Sequence, residues 1–273
     1  MHRRIYDCLL FFVLMLIPVF AQAQTISAPV VSGKTDVGVV RDHNEDSIIM
    51  FDDAKVYVVA DGMGGHAAGE VASEMAVNTV NDFVHVPVFG YLDKVWPMSR
   101  TMIVFFSYFE GNKRILKESI DNPARRGMGT TMVSLVLRKD YADVINLGDS
   151  RAYLIRNQKI VQISHDHSLW QELIDRGVLK TPEEIENYPH KNIITQAMGT
   201  RPELAPDIFT VPVQPGDIYI LCSDGLTNEL TDNQIMQIIL SHGNDLDAAT
   251  TDLVQKARIL GGRDNISVIL VKP

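Results

Sequence analysis

From residue 30 onward the chain alternates between short apolar runs and compact polar breaks. Asp46–Phe51, Val56–Ala60, Thr130–Leu137, Asp143–Leu147, Ala152–Ile155, Lys159–Ile163, Ile208–Val213, Asp217–Cys222 and Asn265–Val271 are rich in Val, Ile, Tyr or Leu, and most are bounded by Gly, Asp or Asn. Runs of this length and composition predict β-strands. Neighbours joined by brief turns such as Arg138-Lys139-Asp140 predict antiparallel meanders rather than βαβ units. Apolar residues at helical spacing predict helices over Ala67–Phe83, Met98–Ile120, Leu169–Arg176, Asp232–Leu240 and Asp245–Leu260. The two kinds of element fall in separate groups, which predicts an α+β domain whose sheets are covered by helices. Residues 84–97, with Pro87, Gly90 and Pro97, read as a loop between two helices, and the more polar stretch 164–205 reads as an excursion from the sheet. No repeat, low-complexity tract or Pro/Gly/Ser-rich linker intervenes, so a single domain is expected over residues 31–273.

The first residues break the pattern. His2-Arg3-Arg4 precede an apolar run from Cys8 to Phe20, interrupted only by Pro18, and Ala21-Gln22-Ala23 follows. That layout is a secretory signal peptide over residues 1–23, with cleavage before Gln24, and the apolar run is short for a membrane span. The expected location is the envelope or periplasm; the alternatives are an uncleaved anchor and a cytoplasmic chain whose true start is Met15 or later. Removing residues 1–23 leaves Cys222 as the sole cysteine, so an exported form has no internal disulfide.

Composition narrows the function classes. With 34 acidic and 25 basic residues the 273-residue chain carries a formal charge of −9, which excludes a general nucleic-acid binder. Two cysteines are too few for a disulfide scaffold. A mean hydropathy near zero excludes both a disordered chain and a polytopic membrane protein. An acidic globular enzyme remains.

The chemistry lies in the acids that close the predicted strands. Val-Tyr-Val-Val-Ala runs into Asp61, Val-Ile-Asn-Leu-Gly into Asp149, and Tyr-Ile-Leu-Cys-Ser into Asp224; Asp264 stands just before Asn-Ile-Ser-Val-Ile-Leu-Val. Each lies beside a glycine or small residue that lets backbone approach a ligand, and Glu45-Asp46 adds two acids at another strand start. Asp favours strand ends for purely conformational reasons, but four such sites together point further. Carboxylates gathered in one place repel each other unless a cation neutralises them, and oxygen-only donors suit Mg²⁺ or Mn²⁺ rather than zinc. Other phosphate chemistries fall away: there is no G-x-x-x-x-G-K-[ST], no G-x-S-x-G and no H-E-x-x-H. A thiol phosphatase needs an Arg six positions after its Cys, and Asn228 stands there relative to Cys222, which reads as a buried strand residue.

Arg41-Asp42-His43-Asn44-Glu45-Asp46, Asp61-Gly62-Met63-Gly64-Gly65-His66, Gly129-Thr130-Thr131, Gly148-Asp149-Ser150-Arg151, Ser223-Asp224-Gly225-Leu226 and Gly262-Arg263-Asp264-Asn265 stand in one order. That order resembles the metal-dependent (PPM, type 2C) serine/threonine protein phosphatases, in particular their bacterial branch, over residues 33–272. The resemblance implies a four-layer α-β-β-α sandwich of two antiparallel sheets, with a metal site in a cleft at one edge. It implies that Asp61 bridges two metals, Mn²⁺ or Mg²⁺, that the Gly62 carbonyl contacts the first, that Asp224 and Asp264 hold the second, and that Glu45 reaches it through water. Asp149 is implied to belong to a third, weaker site, and Arg41 to bind substrate phosphate. The segment His165–Thr200, including Asp166-His167-Ser168 and His190-Lys191-Asn192-Ile193-Ile194-Thr195, resembles the flap over that cleft. The implied substrates are phosphoserine and phosphothreonine proteins, the implied partner is a bacterial Ser/Thr kinase, and the enzyme is expected to act as a monomer.

The chemistry of such a site is coherent on physical grounds. A water shared by two divalent cations loses its proton near neutral pH and attacks phosphorus in line, so no phosphoenzyme is required. An Arg fork matches phosphoryl oxygens in a bidentate way; the plain alternative for Arg41 is a surface ion pair with Asp42 or Glu45. Animal members of the family place a His directly after the Asp-Gly pair, where this chain has Met63. The proton donor is therefore open between His66, which reads equally well as a helix-start residue packed near Gly69, the weaker candidate His43, and a metal-bound water. Two rival functions share these residues, a hydrolase of small phosphoesters and a non-catalytic binding module; the presence of Asp61, Asp224 and Asp264 argues against the second.

Overall fold

The computed structural model describes residues 28–64, 68–85 and 99–273. The expected signal segment 1–23, His66 and most of the loop 84–97 lie outside the described residues.

Eleven strands and seven α-helices are described, in the chain order β1 (Val30–Asp36), β2 (Asp46–Phe51), β3 (Val56–Met63), α1 (Ala68–Val84), α2 (Ser99–Asp121), β4 (Gly129–Thr130), β5 (Met132–Leu137), β6 (Tyr141–Leu147), β7 (Arg151–Arg156), β8 (Lys159–Gln162), α3 (Leu169–Asp175), α4 (Pro182–Glu186), β9 (Asp207–Pro212), β10 (Ile218–Cys222), α5 (Asp224–Thr227), α6 (Asp232–Ser241), α7 (Leu246–Leu260) and β11 (Ile266–Lys272). One sheet runs β1-β11-β10-β7-β8 and the other β2-β3-β5-β6-β9, with β4 added to β3, and every pairing is antiparallel.

The strands are apolar on both faces because both faces are covered. On β3, Tyr57 and Val59 turn inward to meet Leu154, Tyr219, Leu221 and Ile269 of the opposing sheet. The alternate residues Val56, Val58 and Ala60 face outward onto Ala72, Ala76 and Val80 of α1 and Val104 and Tyr108 of α2. The other sheet repeats this arrangement, with Ile220, Val268 and Leu270 packed on Ile235, Ile239, Leu253 and Ala257 of α6 and α7. Period-two alternation therefore sorts two apolar cores rather than apolar from polar. The result is the expected four-layer α+β sandwich, helices on sheet on sheet on helices.

The helices begin where their chemistry dictates. Thr231 and Gln234 form a capping box before α6, Asp245 caps α7, and Thr181 and Glu184 box the start of α4 behind Pro182. Most predicted elements agree with the observed ones within a residue or two at each end. Strand β1 lies outside the apolar runs of the sequence; it forms because β11 supplies a full partner, Val30 opposite Lys272 through Asp36 opposite Ile266. The polar excursion 164–205 holds two short helices, α3 and the unpredicted α4.

Candidate metal centre

Asp61 lies near the end of β3, and the Gly129-Thr130-Thr131 motif holds its backbone. Its N–H donates to Thr131 Oγ1 at 3.1 Å, and its carbonyl accepts from Thr130 Oγ1 and Thr131 N–H, each at 2.9 Å. The β2–β3 register sets Asp46 directly across from it. Next to Asp61 the backbone is tight: a Cβ on Gly62 would stand 2.2 Å from the Gly69 carbonyl oxygen, and one on Gly69 would stand 2.8 Å from Glu45 Oε1. Only glycines allow strand β3, the start of α1 and the Glu45 side chain to meet this closely. The Glu45 carboxylate accepts the Gly69 N–H in this packing.

Asp224 follows β10 and Asp264 precedes β11, neighbouring strands of the other sheet. Asn265 joins them to the Arg41–Asp46 segment: its Oδ1 accepts the Glu45 N–H at 2.8 Å, and its Nδ2 donates to the carbonyls of Val37 and His43 at 3.0 and 2.9 Å. Ser223 donates to Asp46 Oδ2 at 2.7 Å and accepts the Ser267 N–H at 2.9 Å. Ser223 and Asn265 are thus site residues to which the sequence reading gives no role, although each adjoins a residue it singles out, and it counts Asp46 only as an acid at a strand start.

Asp149 sits in the turn between β6 and β7. Gly148, at φ +109°, adopts a conformation that side chains disfavour, and a Cβ there would meet Thr131 Cβ at 2.6 Å. Thr131 Oγ1 and Ser150 Oγ share a hydrogen bond of 2.7 Å, tying this turn to the Asp61 strand. The Asp166-His167-Ser168 segment grips the same turn. Arg151 donates through Nε and Nη2 to Asp166 Oδ2 at 2.9 and 2.6 Å. Gly148 N–H donates to His167 Nδ1 at 3.2 Å, which places the proton of a neutral ring on Nε2, 3.0 Å from Asp207 Oδ2. Ser168 caps α3.

The electrostatics of this edge are those of excess negative charge. Burial, reinforced by neighbouring carboxylates, pushes Asp46 and Asp149 each up to about 7. Asp61 rises well above the usual carboxylate range, from burial and from Asp46, Asp224, Asp149 and Asp264 around it. Asp224 rises through burial and Asp264, and Glu45 through burial against the opposing pull of Arg41. Asp46 Oδ1 is buried with no protein partner. Among the described residues no group of three or more His, Cys, Asp or Glu side chains already converges on one ion position. Besides Glu45 and Asp46, whose donors are Gly69 and Ser223, two more of the acids take protein donors, Asp264 from Arg41 Nη2 at 2.7 Å and Asp224 from Asn228 Nδ2 at 3.0 Å. Desolvated like charges with an orphaned carboxylate oxygen favour either bound protons or a bound cation, and an all-oxygen donor set fits Mn²⁺ or Mg²⁺.

The fold brings Glu45, Asp61, Gly62, Asp149, Asp224 and Asp264 to one edge of the sandwich. Arg41 joins them, paired with Asp264 rather than with Asp42 or Glu45. Cys222 is fully buried in β10, and burial pushes its thiol up to about 12, as befits an inert core residue. A cavity of about 520 Å³ opens beside Asp149, Asp224 and Asp264.

Comparison with known proteins agrees with this geometry. A family model described as protein phosphatase 2C matches residues 40–257. The serine/threonine phosphatase stp of Listeria welshimeri is 38% identical over 243 residues, spanning 88% of this chain and 94% of that protein. A serine/threonine phosphatase structure from S. agalactiae superposes with a TM-score of 0.81 at 34% identity, covering 89% of this chain and 99% of that one. The catalytic domain of the phosphatase PstP, solved in complex with two manganese ions, gives a TM-score of 0.73 at 31% identity over 89% of this chain and 97% of its own. The solved structures share the two-sheet sandwich, the family model and the relatives agree with them, and the chain belongs to the protein phosphatase 2C family of serine/threonine phosphatases.

Proposed function

We propose that the chain hydrolyses phosphoserine and phosphothreonine in proteins with two divalent cations, Mn²⁺ or Mg²⁺, held at the edge of the sandwich. Asp61 would serve both, with the Gly62 carbonyl at the first and Asp224 and Asp264 at the second; Glu45 would reach the second through water, and Asp149 would offer a third, weaker position. The observation that carries this reading is the set of desolvated carboxylates with raised proton affinity, among them Asp46 with an unpartnered oxygen. Bound there, the cations supply Lewis acidity and a water acid enough to ionise near neutral pH.

The chain's own residues do the rest. Arg41 is half-exposed and lies on the lip of the site, so its guanidinium can leave Asp264 to a cation and turn both donors onto the phosphoryl oxygens. In-line attack by water breaks the bond between phosphorus and the side-chain oxygen, releases inorganic phosphate and returns a proton to the Ser or Thr oxygen. No side chain becomes phosphorylated, and the buried Cys222 takes no part. The proposal extends to a bacterial Ser/Thr kinase as the opposing enzyme, to a monomeric chain, and to export through residues 1–23, for which a mature N-terminus at Gln24 is the test.

The central test is an assay on a phosphothreonine peptide with and without Mn²⁺. Turnover that rises with Mn²⁺ and vanishes in excess EDTA is expected; undiminished turnover in EDTA would sink the two-metal reading.

A further inference from the structure

The cavity beside the carboxylates reaches well past the room that a phosphoryl group needs. Its lining also includes Trp170 of α3 and Lys191 and Asn192, which follow α4. Three cationic side chains line it: Arg151, Arg263 and Lys191. Two are already committed. Arg151 is forked onto Asp166, and Arg263 donates through Nε and Nη2 to Glu229 at 2.8 and 3.1 Å. Lys191 has no carboxylate partner among the described residues. Its Nζ stands instead 5.4 Å from the centroid of the Trp170 ring.

The indole is itself fixed, because Trp170 Nε1 donates to the Ile185 carbonyl at 2.9 Å and so ties α3 to α4. A cation over an aromatic face is held by the ring quadrupole while its outward protons stay free to donate. Asp149, Asp166, Asp224, Glu229 and Asp264 line the same cavity, yet in a chain with nine more acids than bases by formal charge the Lys191 ammonium forms no ion pair with any described carboxylate, so the fold does not use this charge internally. An external anion would complete it. Arg41 and the carboxylate edge account for the phosphoryl group under attack, so the anion at Lys191 belongs to a different part of the substrate.

We propose that Lys191, held over Trp170, is a specificity-determining subsite for an anionic residue flanking the phosphoserine or phosphothreonine in a protein substrate. The proposal rests on the phosphatase reading above and adds the substrate class: phosphosites in acidic or multiply phosphorylated sequence. A flanking carboxylate and a second phosphate share the chemistry that Lys191 recognises, and peptide design separates them.

The test uses the full chain with Mn²⁺ and phosphothreonine peptides that carry Ala, Asp, phosphoserine or Lys at each flanking position in turn. Wild-type kcat/KM should favour an acidic flank by about fivefold, equivalent to ~1 kcal/mol at a partly exposed ion pair. Lys191→Ala should abolish that preference while leaving the Ala-flanked peptide unaffected, Lys191→Arg should keep it, and Lys191→Glu should turn it toward Lys-flanked peptides. A preference confined to phosphoserine assigns the subsite to a second phosphate, and one shared with Asp assigns it to acidic sequence. A preference that survives in Lys191→Ala, or a wild-type enzyme indifferent to flanking charge, would overturn the proposal while the Ala-flanked peptide still reports an active phosphatase. Failure to turn over any phosphopeptide would instead strike at the phosphatase reading itself.

Discussion

Carboxylates are buried in two very different ways in this molecule. At the far ends of the sheets, Asp143 is fully enclosed, yet Arg138 donates to it through Nε and Nη2 at 2.6 and 2.9 Å, Thr210 donates at 2.7 Å, and Thr101 completes the set. Asp217 is treated the same way, by Arg156 through Nε and Nη2 at 2.8 and 2.7 Å and by the Gln214 N–H at 2.8 Å. At the cleft, Asp46, Asp61, Asp149 and Asp224 crowd together, raise one another's proton affinity and leave Asp46 Oδ1 without a donor. The first group carries its counter-charge within the fold; the second lacks one. A buried acid with an Arg of its own is scaffold, and a buried acid among other acids is a place for something the chain does not contain.

Substitution should separate the two groups sharply. Asp61→Asn should lower kcat/KM on a phosphothreonine peptide by at least about 100-fold. It should leave the thermal midpoint of the metal-free protein unchanged or raised, because one charge leaves a repelling cluster. Asp143→Asn should do the reverse, costing about 3 kcal/mol of stability by stranding Arg138 and the two threonines, with turnover per folded molecule preserved. Calorimetry alongside kinetics decides the matter: an unfolded Asp61→Asn protein, or a stable and inactive Asp143→Asn protein, would erase the distinction.

Arg41 sharpens the contrast, since its guanidinium pairs with the cleft acid Asp264 from a half-exposed position. Arg41→Ala should raise KM for the phosphopeptide by about tenfold, the worth of one charge-assisted contact to phosphate. A shift in the Mn²⁺ titration midpoint with KM unchanged would reassign Arg41 to holding Asp264.

The smallest effect is in pH dependence. Asp46 and Asp149 titrate near about 7 in the ion-free fold, whereas an unfolded Asp titrates near about 4. Between those values the folded protein holds protons that the unfolded chain has released, so ion-free stability falls as pH rises. The melting temperature of the metal-free protein should drop by a few degrees from about pH 5 to about pH 8, and Mn²⁺ should raise it more at the upper end, where the acids are open to the cation. A metal-free melting temperature that climbs over that range would show the cleft acids to be satisfied within the fold.

Much of this was legible in the residues alone, for a local reason. Apolar runs of strand length and helical spacing in α1, α2, α6 and α7 are written within a few residues of where they act, so the α+β class and most elements could be read directly. The same holds for Asp61, Asp149, Asp224 and Asp264, because a strand that ends in Asp beside a small residue is a local signal. Tertiary structure alone decided which of these ends would meet and what would hold them together. Ser223 reaches Asp46 across 177 positions, Asn265 reaches Glu45 across 220, and Arg41 finds Asp264 across 223 rather than its neighbours Asp42 and Glu45. Strand β1 pairs with β11, and α3 sets Trp170 beneath Lys191 at the cavity wall. Sheet register and helix packing create such contacts between segments that carry no mark of each other in sequence, and the balance of charge in the cleft, with no cation of its own for most of its acids, appears only once those segments have been folded together.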